Sequence, residues 1–111
     1  MGMAQAMSRQ ASTALQFLGT EIARGRRERR WSAASLARRA GVSETTVRKV
    51  ERGDPGVAIG TVLEMAALTG VPLFSADPHE LELGLQRSRD RLALLPERVR
   101  ARELPAMNDD F

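Results

Sequence analysis

Hydroxyl and cationic side chains between residues 43 and 52 have the chemistry and the spacing to bind a polyanion. On a helix, one outer face would carry Thr45, Arg48, Lys49 and Arg52, at i, i+3, i+4 and i+7. Val47 and Val50 would face inward, at i and i+3. Arginine and lysine donate hydrogen bonds to phosphate oxygens, and a polar, basic helix face fits a groove of DNA. The spacing therefore predicts a helix with an apolar inner face and a nucleic-acid-binding outer face.

Two short helices joined by a tight turn would position these side chains. Ser32 and Ser43 belong to the residue types that cap the first turn of a helix, so a helix is predicted to begin after each of them. Gly41 lies where the first of these helices must end, because glycine adopts a left-handed conformation at little cost. The first helix would place Leu36, Ala37 and Ala40 on its apolar face, and Arg38 and Arg39 on its solvent side.

Charge is distributed unevenly along the 111 residues, whose net formal charge is +3. Residues 24–52 contain ten basic and three acidic residues, a net charge of +7, whereas residues 77–111 contain six arginines and eight acids, a net charge of −2. This asymmetry indicates a basic surface for a polyanion and a different role for the C-terminal part. Charge alone leaves a second interpretation open, an ordinary solvated face.

The periodicity of the chain predicts an all-α fold, with one small domain and two appendages. Residues 1–11 show no sustained period and are expected to be flexible. Residues 12–74 form the predicted domain of four helices, the first running from about Ser12 to near Arg30. The fourth would place Ile59, Val62, Leu63, Ala66 and Ala67 on the core, with Val71, Leu73 and Phe74 tucked beneath it. Residues 75–95 form a further helix, and residues 96–111 a flexible tail.

The C-terminal helix carries a leucine-rich seam. Asp77 and Pro78 are typical of a helix start, and the helix is expected to reach about residue 95. Its seam comprises Leu81, Leu85, Ser88, Leu92 and Leu95, spaced 4, 3, 4 and 3 like the a and d positions of a coiled coil. This stripe could pack on its own domain or against a second copy. Because four short helices already complete a core, we favour dimerisation through Leu81, Leu85, Leu92 and Leu95.

The composition argues against an enzyme. The chain has no Cys and a single His, which disfavours a disulfide framework, a Cys-based metal site and any metal bound through His79. It has no glycine-rich phosphate loop and no converging carboxylates, so neither a cofactor nor a metal is expected. No apolar run approaches the roughly 20 residues of a membrane span, and the N-terminus lacks the apolar core of a signal peptide. We expect a cytoplasmic protein.

The segment LGTEIARGRRERRWSAASLARRAGVSETTVRKVERG, residues 18–53, resembles the Xre-type, lambda-repressor-like helix-turn-helix proteins. The resemblance covers roughly residues 13–74, and its marks are Leu36, Ala37, Gly41, Val47, Val50 and the closing Glu51, Arg52 and Gly53. It implies a compact DNA-binding domain of four to five helices, here followed by an extra C-terminal helix and tail. The motif would bind a double-stranded DNA operator.

The resemblance also implies roles for individual residues. In that family the second motif helix enters the major groove, which would bring Glu44, Thr45 and Lys49 nearest the base edges. Ser43 and Arg52 would then bind phosphates and set the register, and Arg48 would reach a phosphate or a base. The internal ion pair of the family corresponds here to Arg26 and Glu51, which implies a structural role for both.

The chain departs from the family pattern at two positions. Where the family commonly has a phosphate-binding Gln, this sequence has Ala33, so Arg38 and Arg39 are candidates to supply the missing affinity. Glu44 brings negative charge to DNA, and either accepts from a cytosine N4 or forms an i, i+4 pair with Arg48. Trp31 could stack on a base or close the corner between two helices, and we favour the corner.

A narrower resemblance, carried by WSAASLARRAGVSETTVRKVERGDPGVAIGTV, is to the HipB-like antitoxins. It implies a sequence-specific transcriptional repressor that acts as a homodimer, regulates its own gene and serves as the antitoxin of a type II toxin–antitoxin pair. The alternative is a protein-interaction module that mainly neutralises a HipA-like kinase toxin.

Overall fold

The computed structural model describes residues 6–98, which form five helices and no strand. The helices are α1 (Arg9–Glu28), α2 (Ala33–Ala40), α3 (Glu44–Glu51), α4 (Ile59–Leu68) and α5 (Pro78–Ala93). The chain divides into two units, Met1–Ala76 with α1 to α4 and Asp77–Phe111 with α5. The all-α prediction is confirmed, and the first unit has the lambda-repressor-like arrangement of helices.

Serine side chains define where α2 and α3 begin. The Ser32 hydroxyl accepts a hydrogen bond from the Ser35 backbone N–H at 3.0 Å, and the Ser43 hydroxyl accepts one from the Thr46 N–H at 3.1 Å. These bonds satisfy amides that have no partner within their own helix. Gly41 ends α2 in the left-handed region, at φ 71°. Both predicted caps and the predicted end of α2 are confirmed.

The core of the first unit contains one apolar stripe from each of its four helices. The buried side chains are Ile22 of α1, Leu36 and Ala37 of α2, Val47 and Val50 of α3, and Val62, Met65 and Ala66 of α4. Trp31 is half-buried and packs against this cluster, so the prediction that it closes the corner between α1 and α2 is confirmed. The inward valines of α3 orient that helix, because rotating it would bring them into water.

Two glycines of α1 allow other backbone segments to approach it closely. A Cβ atom at Gly19 would lie 2.3 Å from the Val50 carbonyl oxygen, and one at Gly25 would lie 2.2 Å from the Thr69 carbonyl oxygen. No side chain fits at such distances, so both contacts require glycine. The end of α3 and the end of α4 are thereby seated directly on the backbone of α1.

Helix α1 begins earlier than the sequence suggested. The Ser8 hydroxyl accepts from the Ala11 N–H at 3.1 Å, which starts the helix at Arg9 and makes the prediction of a flexible segment up to residue 11 wrong for residues 9–11. The helix ends at Glu28, two residues before the expected end, and Arg30 adopts a left-handed conformation at φ 60°. Residues 1–5, also predicted to be flexible, lie outside the described residues.

The predicted inner face of α4 was partly wrong. Val62 and Ala66 are buried as expected, but Met65 completes the stripe, whereas the Ile59 side chain is 75% exposed and Leu63 and Ala67 are also exposed. Because seven of the ten residues of this helix are apolar, periodicity could not choose between two overlapping stripes. Phe74, expected beneath α4, is fully exposed at φ 69°. Val71 and Leu73 do pack against the core.

The second unit contains α5. The Asp77 side chain accepts from the His79 N–H at 3.0 Å and Pro78 occupies the first helical position, which confirms the predicted start. The helix ends at Ala93, so Leu95 lies beyond it rather than on its seam. No residue of α5 is buried. The predicted tail, residues 96–111, lies outside the described residues from position 99 onward.

Candidate nucleic-acid interface

The outer face of α3 is fully available to a partner. Thr45, Arg48, Lys49 and Arg52 are all exposed, as are Ser43 and Glu44 at the start of the helix, whereas Val47 and Val50 are buried. The short helix α3 thus presents an apolar face to the core and a polar face with Arg48 and Lys49 to solvent, and Arg52 follows at its C-cap. The structure brings together the six residues that the sequence placed on or beside this helix.

Arg38, Lys49 and Arg52 are three of the predicted DNA-binding cations that have no acidic partner among the described residues. Within residues 6–98 none of the three forms a salt bridge, so their N–H groups remain available to an external acceptor. Arg24, by contrast, lies within salt-bridge distance of both Glu21 and Glu28 on its own helix. The positive charge that can act on a ligand is therefore smaller than the count of basic residues suggested, because Arg24, Arg26 and Arg48 pair with acids.

Glu44 and Arg48 form an ion pair along α3. The carboxylate accepts from an Arg48 Nη atom at the i, i+4 spacing, and both side chains are about half exposed. An exposed helical pair of this kind contributes only about 0.3–0.5 kcal/mol. It therefore orients both side chains in the free protein without preventing either from moving onto a base or a phosphate. The cytosine-reading role of Glu44 stays a prediction.

Ser43 has a structural task at the same place. Its hydroxyl caps α3 and lies 3.0 Å from the Thr46 hydroxyl, in a hydrogen bond that either group can donate. If Thr46 donates, the Ser43 proton is free for a phosphate oxygen, because the cap uses Ser43 only as an acceptor. The phosphate contact of Ser43 stays a prediction.

Arg26 and Glu51 fix the far end of α3. Arg26 Nε lies 2.6 Å from one Glu51 carboxylate oxygen, and Arg26 Nη2 lies 3.0 Å from the other. The remaining Arg26 nitrogen, Nη1, donates to the Trp31 backbone oxygen at 2.9 Å. The two side chains are only 12% and 13% exposed, and the hydrogen-bonded carboxylate raises the pKa of Arg26 above its ordinary value. All three guanidinium nitrogens are engaged, which leaves this arginine to hold the motif together.

Trp31 positions Arg39, a relationship that the sequence analysis missed. The Arg39 guanidinium carbon lies 4.0 Å from the centre of the Trp31 ring, and Arg39 Nε donates to the Ser35 hydroxyl at 3.3 Å. Arg29 lies near the same ring, at 5.8 Å. Stacking on an aromatic face restricts a long side chain while leaving its edge N–H groups free. The sequence did contain a signal for this contact, because Trp31 directly precedes Ser32, the cap of the helix that carries Arg39.

These features define the class of the protein. Two short helices in a helix-turn-helix, the second held by buried valines and an ion pair and presenting exposed cations, characterise helical DNA-binding proteins. The family model described as a helix-turn-helix domain matches residues 18–77, more than half of the chain. The chain belongs to this helix-turn-helix family, of the Xre-like type. Neither a curated protein nor a solved structure gave a match.

Between residues 6 and 98, no helix is long and apolar enough to cross a membrane. The same residues contain no cluster of three or more His, Cys, Asp or Glu side chains that could hold a metal ion.

Proposed function

We propose that this chain is a sequence-specific transcriptional repressor that binds its operator as a dimer and regulates its own gene in the cytoplasm, without catalytic activity. The observation that carries the proposal is the α3 surface, in which exposed Lys49 and Arg52 project from a helix that buried valines and the Arg26–Glu51 pair prevent from rotating. A fixed array of donors is what sequence reading requires, because each base contact depends on its register in the groove.

The proposal is tested by titrating the full chain with DNA from directly upstream of its gene, at two salt concentrations, with scrambled DNA of equal length as control. We expect tight binding to the upstream DNA, which weakens steeply with salt, and half-sites about 10 base pairs apart or a multiple of this. Equal, weak binding to both DNAs would contradict a sequence-specific repressor.

Single alanine variants test which residues of the α3 surface contact bases and which contact phosphates. Lys49→Ala, if Lys49 contacts a guanine, should cost about 1–3 kcal/mol and relax the preference at one base pair, whereas Arg52→Ala should weaken all sequences alike and reduce the salt slope by about 1. Arg24→Ala is the matched control, because it also removes one arginine charge, but from a side chain already paired with two acids of α1. Specific binding that survives both variants at wild-type strength would place the recognition face elsewhere.

A second candidate function is that of an antitoxin whose main task is to neutralise a HipA-like kinase toxin. It is favoured by the exposed apolar side chains of Ile59, Leu63 and Phe74, which lie outside the α3 surface and suit a protein partner better than DNA. Affinity purification of the full chain, co-expressed with the product of the neighbouring gene, tests this role. A tagged Ile59→Asp variant that captures as much of that product as the wild type would count against this surface, and the absence of any capture would count against the role.

A further inference from the structure

Helix α5 has an apolar face that it cannot bury by itself. Leu81, Leu85 and Leu92 are all exposed, and no residue of the helix is buried. An isolated helix of 16 residues is only marginally stable in water, so a helix of this length normally depends on packing along its apolar stripe. With Ser88, these leucines form one seam at spacings of 4, 3 and 4, which is the pattern of a two-stranded coiled coil.

The charges of α5 are segregated along its length. Glu80 and Glu82 lie in the first half, whereas Arg87, Arg89 and Arg91 lie in the second, with Asp90 as the exception. Among the described residues, no salt bridge involves these side chains, although Asp90 accepts a hydrogen bond from Gln86 at 3.0 Å. The order suits the helix dipole, but Glu82 and Arg89 also flank the seam, each directly following a seam position.

We propose that α5 pairs with α5 of a second copy in the antiparallel orientation, an inference that rests on the dimer of the proposed function and specifies its interface. In this orientation Leu81 lies opposite Leu92 of the second copy, and Leu85 lies opposite its Ser88. Glu82 then faces Arg89 of the second copy, and symmetry forms this pair twice. The acidic half of each helix lies along the basic half of the other.

The parallel orientation lacks this complementarity. It would place Glu82 beside Asp77 of the second copy and Arg89 beside its Gly84, so that two acids meet and no opposite charges do. Ser88 would also stack on Ser88 in the middle of the seam, instead of packing against a leucine. Charge and packing therefore favour the same orientation.

The existence of the interface is tested by the self-association of the full chain, measured by sedimentation equilibrium. Leu85→Glu places a charge in the seam and should raise the dimer Kd by at least about 100-fold. Leu83→Glu is the matched control, because it makes the same change to an exposed leucine of the same helix that lies outside the seam, and it should leave the Kd within about threefold. A chain that stays monomeric at high concentration, or a dimer that survives Leu85→Glu, overturns the proposal.

The orientation is tested by thiol cross-linking, which the absence of native Cys makes unambiguous. A mixture of Leu81→Cys and Leu92→Cys chains should form a disulfide between the two variants on oxidation, whereas Leu81→Cys alone should form little. Cross-linking of Leu81→Cys with itself would show a parallel pair and overturn the assignment. A charge exchange leaves the leucines of the seam unchanged, so its effect does not depend on a folding defect there. Glu82→Arg should weaken the dimer several-fold, and adding Arg89→Glu should restore it.

Binding to the operator distinguishes this proposal from that of a repressor. A wild-type chain that binds the upstream DNA specifically, yet whose dimer ignores Leu85→Glu, contradicts pairing through α5 and leaves the repressor standing. A chain that dimerises through α5 but does not distinguish the upstream DNA from scrambled DNA contradicts the repressor and leaves the pairing intact.

Discussion

The Arg26 guanidinium holds the Glu51 carboxylate through two hydrogen bonds, of 2.6 Å and 3.0 Å, and so joins α1 to the last residue of α3. The pair is largely shielded from water, so each charge depends on the other for its stabilisation. Residue 51 immediately precedes Arg52, a candidate phosphate ligand. The ion pair therefore determines where the exposed end of the recognition helix lies.

Removing Arg26 should destabilise the fold. Arg26→Leu leaves the Glu51 carboxylate poorly solvated and without its cation, at a cost of about 2–3 kcal/mol in the free energy of unfolding, measured by urea denaturation. Folding raises the pKa of Arg26, so its contribution is complete at every pH below the ordinary pKa and is lost only in strong alkali. The loss should therefore be equal at pH 7 and pH 9. Arg24→Leu, at an exposed position, should cost less than about 0.5 kcal/mol, and an equal cost for the two variants would contradict the structural role.

Adding one methyl group to α1 should disturb the seating of α3. In Gly19→Ala the new Cβ meets the Val50 carbonyl oxygen, so the helices must separate, and we expect a loss of about 2–3 kcal/mol or more. Gly60→Ala provides the comparison, because a Cβ there meets no atom within 4 Å, and it should be neutral or stabilise by up to about 1 kcal/mol. Thermal unfolding followed by circular dichroism measures both. Equal stability of the two variants would show that α1 and α3 are further apart.

Neutralising Glu44 separates its two proposed roles. Glu44→Gln breaks the pair with Arg48, which should cost no more than about 0.5 kcal/mol because both side chains are about half exposed. If Glu44 accepts from a cytosine, the variant should also lose its preference at one base pair, as measured by competition with operators that differ at single positions. Unchanged preference at every position would leave only the ion pair with Arg48.

The fluorescence of Trp31, the single tryptophan, reports whether Arg39 stacks on its ring. Removal of the stacked guanidinium in Arg39→Ala should expose one face of the Trp31 ring, increase its fluorescence quenching by acrylamide and reduce stability by about 0.5–1 kcal/mol. Arg38→Ala, on the neighbouring position of α2, removes the same charge and should leave the quenching unchanged. Equal quenching in the two variants would mean that Arg39 does not rest on the ring.

Local rules were sufficient for the elements of the motif, because their signals lie within a few residues. Ser32, Gly41 and Ser43 act on amides and carbonyls of their own helices, so the sequence located α2 and α3 closely. The inner face of α4 depends on which elements pack against it. Because most residues of this helix are apolar, the local sequence does not show which of them will be buried. The prediction therefore placed Ile59 on the inner face, where it is not found, and missed Met65, which is buried there. The stacking of Arg39 on Trp31 depends on tertiary geometry in the same way.

The exposed position of Phe74 illustrates a related limit. An apolar residue after a helix is expected to return to the core, but its left-handed backbone conformation, at φ 69°, directs the side chain into solvent. The early start of α1 had a local signal in Ser8, which the lack of a sustained apolar period nearby concealed.

The close seating of α3 on Gly19 also bears on how such a protein can diverge. Because the backbone of α1 and two buried valines set the position of the recognition helix, its exposed side chains contribute little to folding. Substitutions at Thr45 or Lys49 should therefore alter which operator is preferred without much loss of stability. New DNA specificities are then accessible by single steps, each from a protein that remains folded.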